Sequence, residues 1–380
     1  MSDQFDRTDV RITVPRETSG SDVDSSLHDG LSVQSPRYLL VVPLTEALLD
    51  AHTGINVQRL LRTAVALAKD KDSRILLLGI ETVSSDATLE DVREHVQTDR
   101  SDDIERTAPV EAVEERRTQV AEVAAVARDI DQDVSVSATV RVVRNLTSEV
   151  IDVADRDTKS AVLLLRGAGL DPSWLLSRST VDTLVADAGC DVFVENVGVR
   201  DGESGLYIPD VDQHTVASLA ESEAEDIDSI LLPVDTGPHA ALASEAARAV
   251  AHAADASVTV IHVVHSEASA KERAEGEDVL KFADYVLGSD ISTTTELREA
   301  DTVVDEIVQE ASNHDYLSIG APEEKSRLKE LVFGSIDETI TDESEATVLM
   351  ARDADRTSRS LYYRWKRGVE SISDDDTSEN

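Results

Sequence analysis

Polar and glycine residues follow two apolar runs in the second half of this chain, at the points where predicted strands end. Asp235 follows one run and Gly320 follows the other. A carboxylate accepts hydrogen bonds from a ribose or an exocyclic amine, and a glycine lets the backbone approach a ligand closely. Gly334 and Ser335 begin a later predicted helix, whose free N–H groups suit a phosphate. Together these residues predict a pocket for an adenine nucleotide.

These residues can act together only if their strands are neighbours in one sheet. The second half alternates strands near 229–234, 257–264, 291–297, 316–319 and 346–350 with helices near 240–253, 270–286, 302–312 and 334–342. Continuous apolar runs are typical of strands buried on both faces of a parallel sheet. Ligands bind such sheets at the carboxyl ends of the strands, where the strand order reverses.

The first half repeats this plan. Its strands are predicted near 38–43, 74–80, 134–142, 161–165 and 191–195, and its helices near 57–69, 112–129, 147–156 and 177–187. Pro43 matches Pro233 near the end of the first strand, which indicates a tandem duplication. The predicted fold is α/β, with two doubly wound parallel five-stranded sheets.

The composition places the boundaries of these two domains. Residues 1–36 are predicted to be a disordered acidic tail because they are rich in Ser, Asp and Thr. The first domain covers 37–197, a linker covers 198–227, and the second domain covers 228–352. Residues 353–380 form a tail with a basic and aromatic segment.

The net charge of −41 excludes direct nucleic-acid binding, because affinity for a polyanion needs a basic face. Only 8 of the 36 basic residues are Lys, and the aromatic content is 3%. This composition is typical of a salt-adapted cytosol. At molar salt the Debye length is about 3 Å, so the self-repulsion of the acidic surface is screened. We therefore predict a halophilic protein whose fold needs high salt.

The sequence gives little support for a disulfide, a metal site, catalysis or a membrane segment. The single cysteine, Cys190, excludes an intrachain disulfide and is interpreted as a buried apolar residue. No metal site is predicted, since His262 and His265 point to opposite faces of a strand. No Walker loop or nucleophile elbow occurs, so the protein is predicted not to be an enzyme. The absence of a leader or a long apolar run predicts a cytoplasmic protein.

Residues 37–197 and 228–352 resemble two universal stress protein (UspA) domains in tandem, the HUP-type variant of the Rossmann-like fold. Nucleotide-binding members of that family hold ATP with an Asp at the end of strand one, a residue ending strand two, and a loop of the form G-x2-G-x9-G-[S/T]. The resemblance implies that ATP, with or without Mg²⁺, is bound by Pro233, Asp235, Val263, Ile319, Gly320, Gly334, Ser335 and Ile336.

The second half departs from the family loop in one place. Glu323 or Glu324 stands where the loop has its second glycine, and the spacing from Gly320 to Gly334 is one residue longer. A carboxylate there repels a triphosphate by about 1 kcal/mol or more near a surface. Three basic residues of the same loop compensate if they point inward: Lys325, Arg327 and Lys329.

The first half departs further. Leu44 is interpreted as standing in place of the carboxylate, and Arg178 replaces the glycine before Ser179. This domain is therefore expected to be structural. In the family, domains pair through their fifth strands, so the resemblance implies that 192–194 pairs with 348–350 as an internal pseudo-dimer. Association into a further homo-oligomer is left open.

The C-terminal segment has two interpretations. Basic residues alternate with aromatic ones, and no acidic residue occurs from Arg356 to Val369. Such a segment fits an anionic membrane surface or a membrane-protein partner, but it also fits a helix packed on the protein's own acidic shell. The chain is similar to stress-protein domains fused to archaeal transporters. The alternative function is therefore a nucleotide-free adaptor that docks on a transporter, with a slow ATPase as a weaker third.

Overall fold

The computed structural model describes residues 9–15, 38–49, 57–98, 107–155, 159–165, 180–196, 199–200, 203–204, 227–322, 347–354 and 362–369. The strands are β1 (Arg11–Thr13), β2 (Leu39–Leu44), β3 (Arg74–Thr82), β4 (Ser135–Val143), β5 (Ser160–Leu165), β6 (Asp191–Asn196), β7 (Val199–Arg200), β8 (Glu203–Ser204), β9 (Ser229–Pro233), β10 (Ser257–His265), β11 (Thr293–Ala300), β12 (Tyr316–Gly320) and β13 (Thr347–Arg352). The helices are α1 (Glu46–Leu49), α2 (Val57–Asp70), α3 (Asp86–Thr98), α4 (Ala108–Ile130), α5 (Leu146–Ala154), α6 (Thr180–Asp187), α7 (Ala240–Ala254), α8 (Ala270–Leu287), α9 (Val303–Ala311) and α10 (362–369).

Eleven strands form one sheet in the order β1-β4-β3-β2-β5-β6-β13-β12-β9-β10-β11. In each half the first strand of the repeat lies beside the fourth, so β2 pairs with β5 and β9 pairs with β12. The strand order reverses at these two pairs. The prediction of an α/β fold with doubly wound parallel strands is confirmed, although the two halves share one sheet instead of forming two. The predicted linker contains the ribbon of β7 and β8.

The apolar runs become strands because both faces of the sheet are covered. All six residues of β2 are buried, as are all six of β5. The core has one layer on each face of the sheet, and each layer contains residues from both halves. Most predicted bounds agree with the structure to within a few residues. The helix α3 was not predicted, and the helix predicted over 334–342 lies outside the described residues.

The halves join through their last strands. β6 pairs with β13 in antiparallel register, with Val194 opposite Met350. This pairing confirms that the last strands of the two halves join, as the resemblance implied, although residues 192–194 lie opposite 350–352 and not opposite 348–350. The helices α2 and α7 also meet across the junction, where the guanidinium of Arg248 donates to both carboxylate oxygens of Asp70 at 2.9 and 2.7 Å.

A carboxyl group is buried inside this junction. Glu195 of β6 has no exposed surface and lies opposite Leu349 of β13. Burial raises the pKa of Glu195 to about 7, although the charge of Arg59 lowers it. The interface between the halves therefore holds a group that changes charge near neutral pH.

The prediction of a disordered tail over residues 1–36 is wrong for its described part. Arg11–Thr13 form β1, which pairs in parallel with β4 at the edge of the sheet. Val10 is fully buried, and Ile12 and Val14 pack against the core. The apolar residues at 10, 12 and 14 alternate with polar ones, which is the pattern of a half-buried strand. That short signal was hidden by the polar composition of the surrounding segment.

An arginine–glutamate pair is repeated in both halves. Arg141 of β4 pairs with Glu149 of α5, and Arg298 of β11 pairs with Glu306 of α9, each at a spacing of eight residues. The two arginines hold the same strand position, since Arg141 lies opposite Ile80, the seventh residue of β3, and Arg298 lies opposite the seventh residue of β10. This common pair supports the tandem duplication independently of the apolar pattern.

The surroundings of the two arginines differ. The side chain of Arg141 is 1% exposed, because β1 adds Thr13 directly opposite it. The strand β11 lies at the edge of the sheet, and the side chain of Arg298 is 23% exposed. Arg298 also binds Glu296 and Glu310. One pair is therefore buried, and the other belongs to a partly solvated network.

Candidate functional site

Five of the eight predicted site residues line one cleft of about 540 Å³ at the carboxyl ends of β9, β10 and β12. They are Pro233, Asp235, Val263, Ile319 and Gly320. The cleft lies where β9 and β12 are neighbours, which is where ligands bind in open parallel sheets. The other three, Gly334, Ser335 and Ile336, lie outside the described residues, as do Glu323 and Glu324. The role of all eight in ligand binding stays a prediction.

A tight turn holds Asp235 at the cleft. Its Oδ1 accepts a hydrogen bond of 2.7 Å from the N–H of Gly237. A Cβ at position 237 would lie 2.7 Å from the same oxygen, so a side chain there would displace the Asp235 carboxylate. The Asp235 side chain is exposed, and its Oδ2 has no hydrogen-bond partner among the described residues. Asp235 therefore offers an acceptor oxygen to a ligand.

A histidine that the sequence did not assign to the pocket also lines the cleft. His262 of β10 is fixed by a 2.7 Å hydrogen bond between its Nδ1 and the carbonyl oxygen of Val234. Because that carbonyl only accepts, Nδ1 carries the hydrogen. A Cβ on Gly276 of α8 would lie 2.5 Å from His262 Cδ2, so the absence of a side chain at 276 leaves room for the imidazole.

Gly320 packs against the start of α7, where its close neighbours are His239 and the backbone of Ala240. The predicted approach of its backbone to a ligand stays a prediction. A Cβ at 320 would lie 3.2 Å from His239. His239 also lines the cleft, and its Nδ1 accepts a hydrogen bond of 3.1 Å from the N–H of Asp353. Gly320 therefore closes the base of the cleft by letting β12 and α7 meet.

The remaining wall of the cleft comes from two helices. Val303 and Ile307 of α9 and Tyr363 of α10 complete it. None of these three residues was predicted, because each reaches the cleft through the packing of a helix and not through its position after a strand. They make the wall apolar, as in most small-molecule sites.

The described lining suits the uncharged part of a nucleotide. It combines apolar side chains with one carboxylate and two imidazoles. A flat heteroaromatic base can contact Val263 and Ile319, while Asp235 accepts from a hydroxyl or an amine. No Lys or Arg lines the cleft within the described residues. The part of the chain predicted to hold phosphate lies outside them.

The first half closes the same position with its own side chains. Pro43 lies opposite Leu78, the fifth residue of β3, and Pro233 lies opposite the fifth residue of β10, so the two prolines correspond. The counterpart of Asp235 is therefore Thr45, which corrects the assignment to Leu44. The Thr45 Oγ1 accepts from the N–H of Leu48 at 3.2 Å and begins α1.

The helix α1 then places apolar residues where the second half has an open turn. Leu44, Leu48 and Leu49 are at most 1% exposed and belong to the core. The arrangement agrees with a structural role for the first half, which stays a prediction.

The described part of the C-terminal segment packs on the protein itself. Tyr362 and Trp365 of α10 contact Phe282 of α8, with ring centroids 5.7 and 5.6 Å apart. Lys366 Nζ lies 2.9 Å from Asp278 Oδ2, and this hydrogen bond raises the pKa of Lys366. Of the two interpretations of the segment, the intramolecular one therefore holds for residues 362–369.

Two further features bear on chemistry. Cys190 is buried, and burial raises the pKa of its thiol to about 12, so it is not a reactive thiolate. Within the described ranges, no group of three His, Cys, Asp or Glu residues is placed to hold a metal ion.

None of the described helices combines the length and the apolar character needed to cross a membrane.

Comparisons with known proteins give the following similarities. A universal stress protein from Archaeoglobus fulgidus DSM 4304 is 14% identical, and the match covers 83% of this chain and 97% of that chain with a TM-score of 0.44. The cytoplasmic domain of a prokaryotic cation chloride cotransporter is 11% identical, with 86% and 99% covered and a TM-score of 0.44. A universal stress protein in complex with cAMP is 18% identical, with 33% and 97% covered and a TM-score of 0.25.

No curated protein matches this chain. A family model matches part of it, from the residues just before β9 to the end of β13. That range includes Asp235 and Gly320 and all three strands that end at the cleft. Residues 226–352, less than half of the chain, thus match the model of the Universal stress protein family.

Proposed function

We propose that this protein is a cytoplasmic, universal stress protein-like regulator that binds or senses an adenine nucleotide in its second half and catalyses no reaction. One observation carries the proposal. Asp235 and the apolar strand-end residues Pro233, Val263 and Ile319 converge on a cleft of about 540 Å³ where the strand order reverses. A cleft of this volume suits a ligand of nucleotide size.

The physical roles follow from the lining. Val263 and Ile319 contact the base, and Asp235 accepts a hydrogen bond from a ribose hydroxyl or the exocyclic amine. The N–H of Gly237 orients the carboxylate before the ligand arrives, so little ordering is needed on binding. The triphosphate, with or without Mg²⁺, extends toward the predicted helix start at Gly334 and Ser335.

The first half acts as a scaffold in this proposal. Its strand end is occupied by leucines, and its last strand completes the sheet beside β13. Molar KCl screens the self-repulsion of the acidic surface and so favours the folded state, which is why binding is expected under molar KCl. Catalysis is not proposed, because the sequence contains no Walker loop or nucleophile elbow.

Calorimetry with Mg-ATP at molar KCl tests the proposal. The wild-type chain should bind with a measurable heat below millimolar nucleotide, and Asp235→Ala should weaken binding by roughly tenfold, the effect of about one charge-assisted hydrogen bond. Asp284→Ala, which removes an exposed carboxylate of α8, is the matched control. AMP and cAMP are titrated in parallel to identify which phosphate is recognised.

Two outcomes would contradict the proposal. An absence of binding up to millimolar nucleotide would favour the alternative function, a nucleotide-free adaptor. An Asp235→Ala variant with wild-type affinity would show that the nucleotide does not bind in this cleft. Phosphate release above the uncatalysed background would instead make the protein an ATPase. Docking on a membrane gains no support from α10, since Tyr362 and Trp365 already pack against Phe282.

A further inference from the structure

The geometry points to α10 as a wall of the cleft that responds to its ligand. We propose that Tyr363 contacts the bound nucleotide, and that nucleotide binding and the docking of α10 on α8 stabilise each other. This inference rests on the proposed function, but it concerns a different segment of the chain, outside the range 226–352 that matches the family model.

The helix is held by side chains that face away from the ligand. Tyr362 is 5% exposed and packs edge-on against Phe282, and Trp365 packs against the same ring. The Lys366–Asp278 ion pair, at 2.9 Å, adds a polar contact to the same helix α8. These contacts hold α10 beside the cleft before any ligand is bound.

Tyr363 is the residue of α10 that lines the cleft, and it is 43% exposed. Val303, at 41% exposure, lines the same cleft from α9. Large apolar side chains with this much exposure are few in the described part of the chain: Tyr285, Val303, Tyr363 and Val369. Two of the four therefore lie at this one opening, where a ligand would remove them from water.

The charge of α10 favours an anionic ligand. The chain carries a net charge of −41, and no Lys or Arg lines the cleft within the described residues. Arg364 and Arg367 follow Tyr363 in the same helix, whereas Lys366 is already paired with Asp278. Arg367 Nε donates to the carbonyl oxygen of Tyr363 at 3.2 Å, so one basic side chain lies beside the tyrosine that lines the cleft. Basic side chains near the cleft raise the local concentration of a polyphosphate.

A tyrosine suits this position chemically. Its ring stacks on a flat base, and its hydroxyl bonds to a ribose or a phosphate oxygen. Base–aromatic stacking is worth about 1–3 kcal/mol per base in nucleic-acid complexes, which corresponds to roughly a tenfold change in affinity or more. Because coupling between two events is reciprocal, a ligand that contacts docked α10 must also hold α10 in place.

Binding of Mg-ATP to three variants tests the contact. Tyr363→Ala should weaken binding by roughly tenfold, and Tyr363→Phe should weaken it less, because Phe keeps the ring that stacks on the base and lacks only the hydroxyl. Tyr285→Ala is the matched control, since it removes a 71% exposed tyrosine outside the cleft, and should leave affinity unchanged. Equal melting temperatures of the variants verify that they fold.

Fluorescence of Trp365 tests the coupling. In a Trp174→Phe background Trp365 is the only tryptophan, and saturating Mg-ATP should shift its emission and slow amide exchange over residues 362–369. In Asp235→Ala both changes should need roughly tenfold more nucleotide to reach half of their full size.

The outcomes separate the two proposals. If wild type binds, Asp235→Ala weakens binding and Tyr363→Ala does not, the inference about α10 is overturned and the proposed function stands. Unchanged emission and unchanged exchange at saturation would likewise reject the coupling. No binding by wild type rejects both proposals.

Discussion

The two halves of this chain share strands, helices and an arginine–glutamate pair, yet they end their first strands differently. In the first half Thr45 begins a short helix, and Leu48 and Leu49 enter the core. In the second half Asp235 and Gly237 form an open turn beside a cleft of about 540 Å³. The same fold therefore accommodates a buried short helix in one half and an open turn beside a cleft in the other.

The same contrast extends to the outer strands. Arg141 is covered by β1, whereas Arg298 lies on the sheet edge and shares three glutamates. The half with a closed strand end is thus also the half with the buried ion pair. This division agrees with a scaffolding first half and a ligand-binding second half.

The largest expected effect concerns the two ion pairs. Glu149→Gln should lower the free energy of unfolding by about 3 kcal/mol, because it leaves the charge of a buried arginine without its carboxylate. Glu306→Gln should cost less than about 1 kcal/mol, since Arg298 is partly solvated and keeps Glu296 and Glu310. Denaturant titration in molar KCl measures both. Equal losses in the free energy of unfolding of the two variants would contradict the distinction between a buried ion pair in the first half and a partly solvated one in the second.

The next prediction concerns Glu195, the carboxyl group buried at the junction of β6 and β13, and the pH dependence of stability. Glu195 has a pKa of about 7 in the folded protein against an ordinary 4.5, so the folded state favours its protonated form. Its contribution to stability is complete below about pH 4.5 and is lost as the pH rises through 7. Glu195→Gln should therefore be more stable than wild type at pH 8, by roughly 3 kcal/mol, and equal to it near pH 4.5.

The pH dependence of thermal unfolding measures this difference. Glu277→Gln, an exposed change on α8, should follow the wild-type curve at every pH. A Glu195→Gln variant that is less stable than wild type at pH 8 would show that the carboxylate is charged and paired inside the junction.

Much of the fold could be predicted because its signals are local. The apolar runs of β2, β5 and β9 and the periodicity of the helices are visible without knowledge of their neighbours. The strand β1 was missed because three residues in a polar segment gain their burial only by pairing with β4. The antiparallel joining of β6 and β13 was implied by the resemblance and not by the pattern of either strand.

The residues of the candidate site also fall into those that local sequence signals predict and those that depend on tertiary contacts. Pro233, Asp235, Val263, Ile319 and Gly320 were predicted from their positions at strand ends, and they do line one cleft. Tyr363 could not be predicted, because it reaches the cleft only through the packing of α10 on Phe282. His262 was considered only as a metal ligand, and its role in the wall depends on the space left by Gly276.

The number of nucleotide sites per chain tests the central comparison most directly. Calorimetric titration of Mg-ATP at molar KCl should give one site per chain, weakened by Asp235→Thr, which installs in the second half the residue found at Thr45. The reverse change, Thr45→Asp, should leave the count at one, because Leu48 and Leu49 still fill that strand end. A count of two in wild type, or an Asp235→Thr variant that binds as wild type does, would contradict the account.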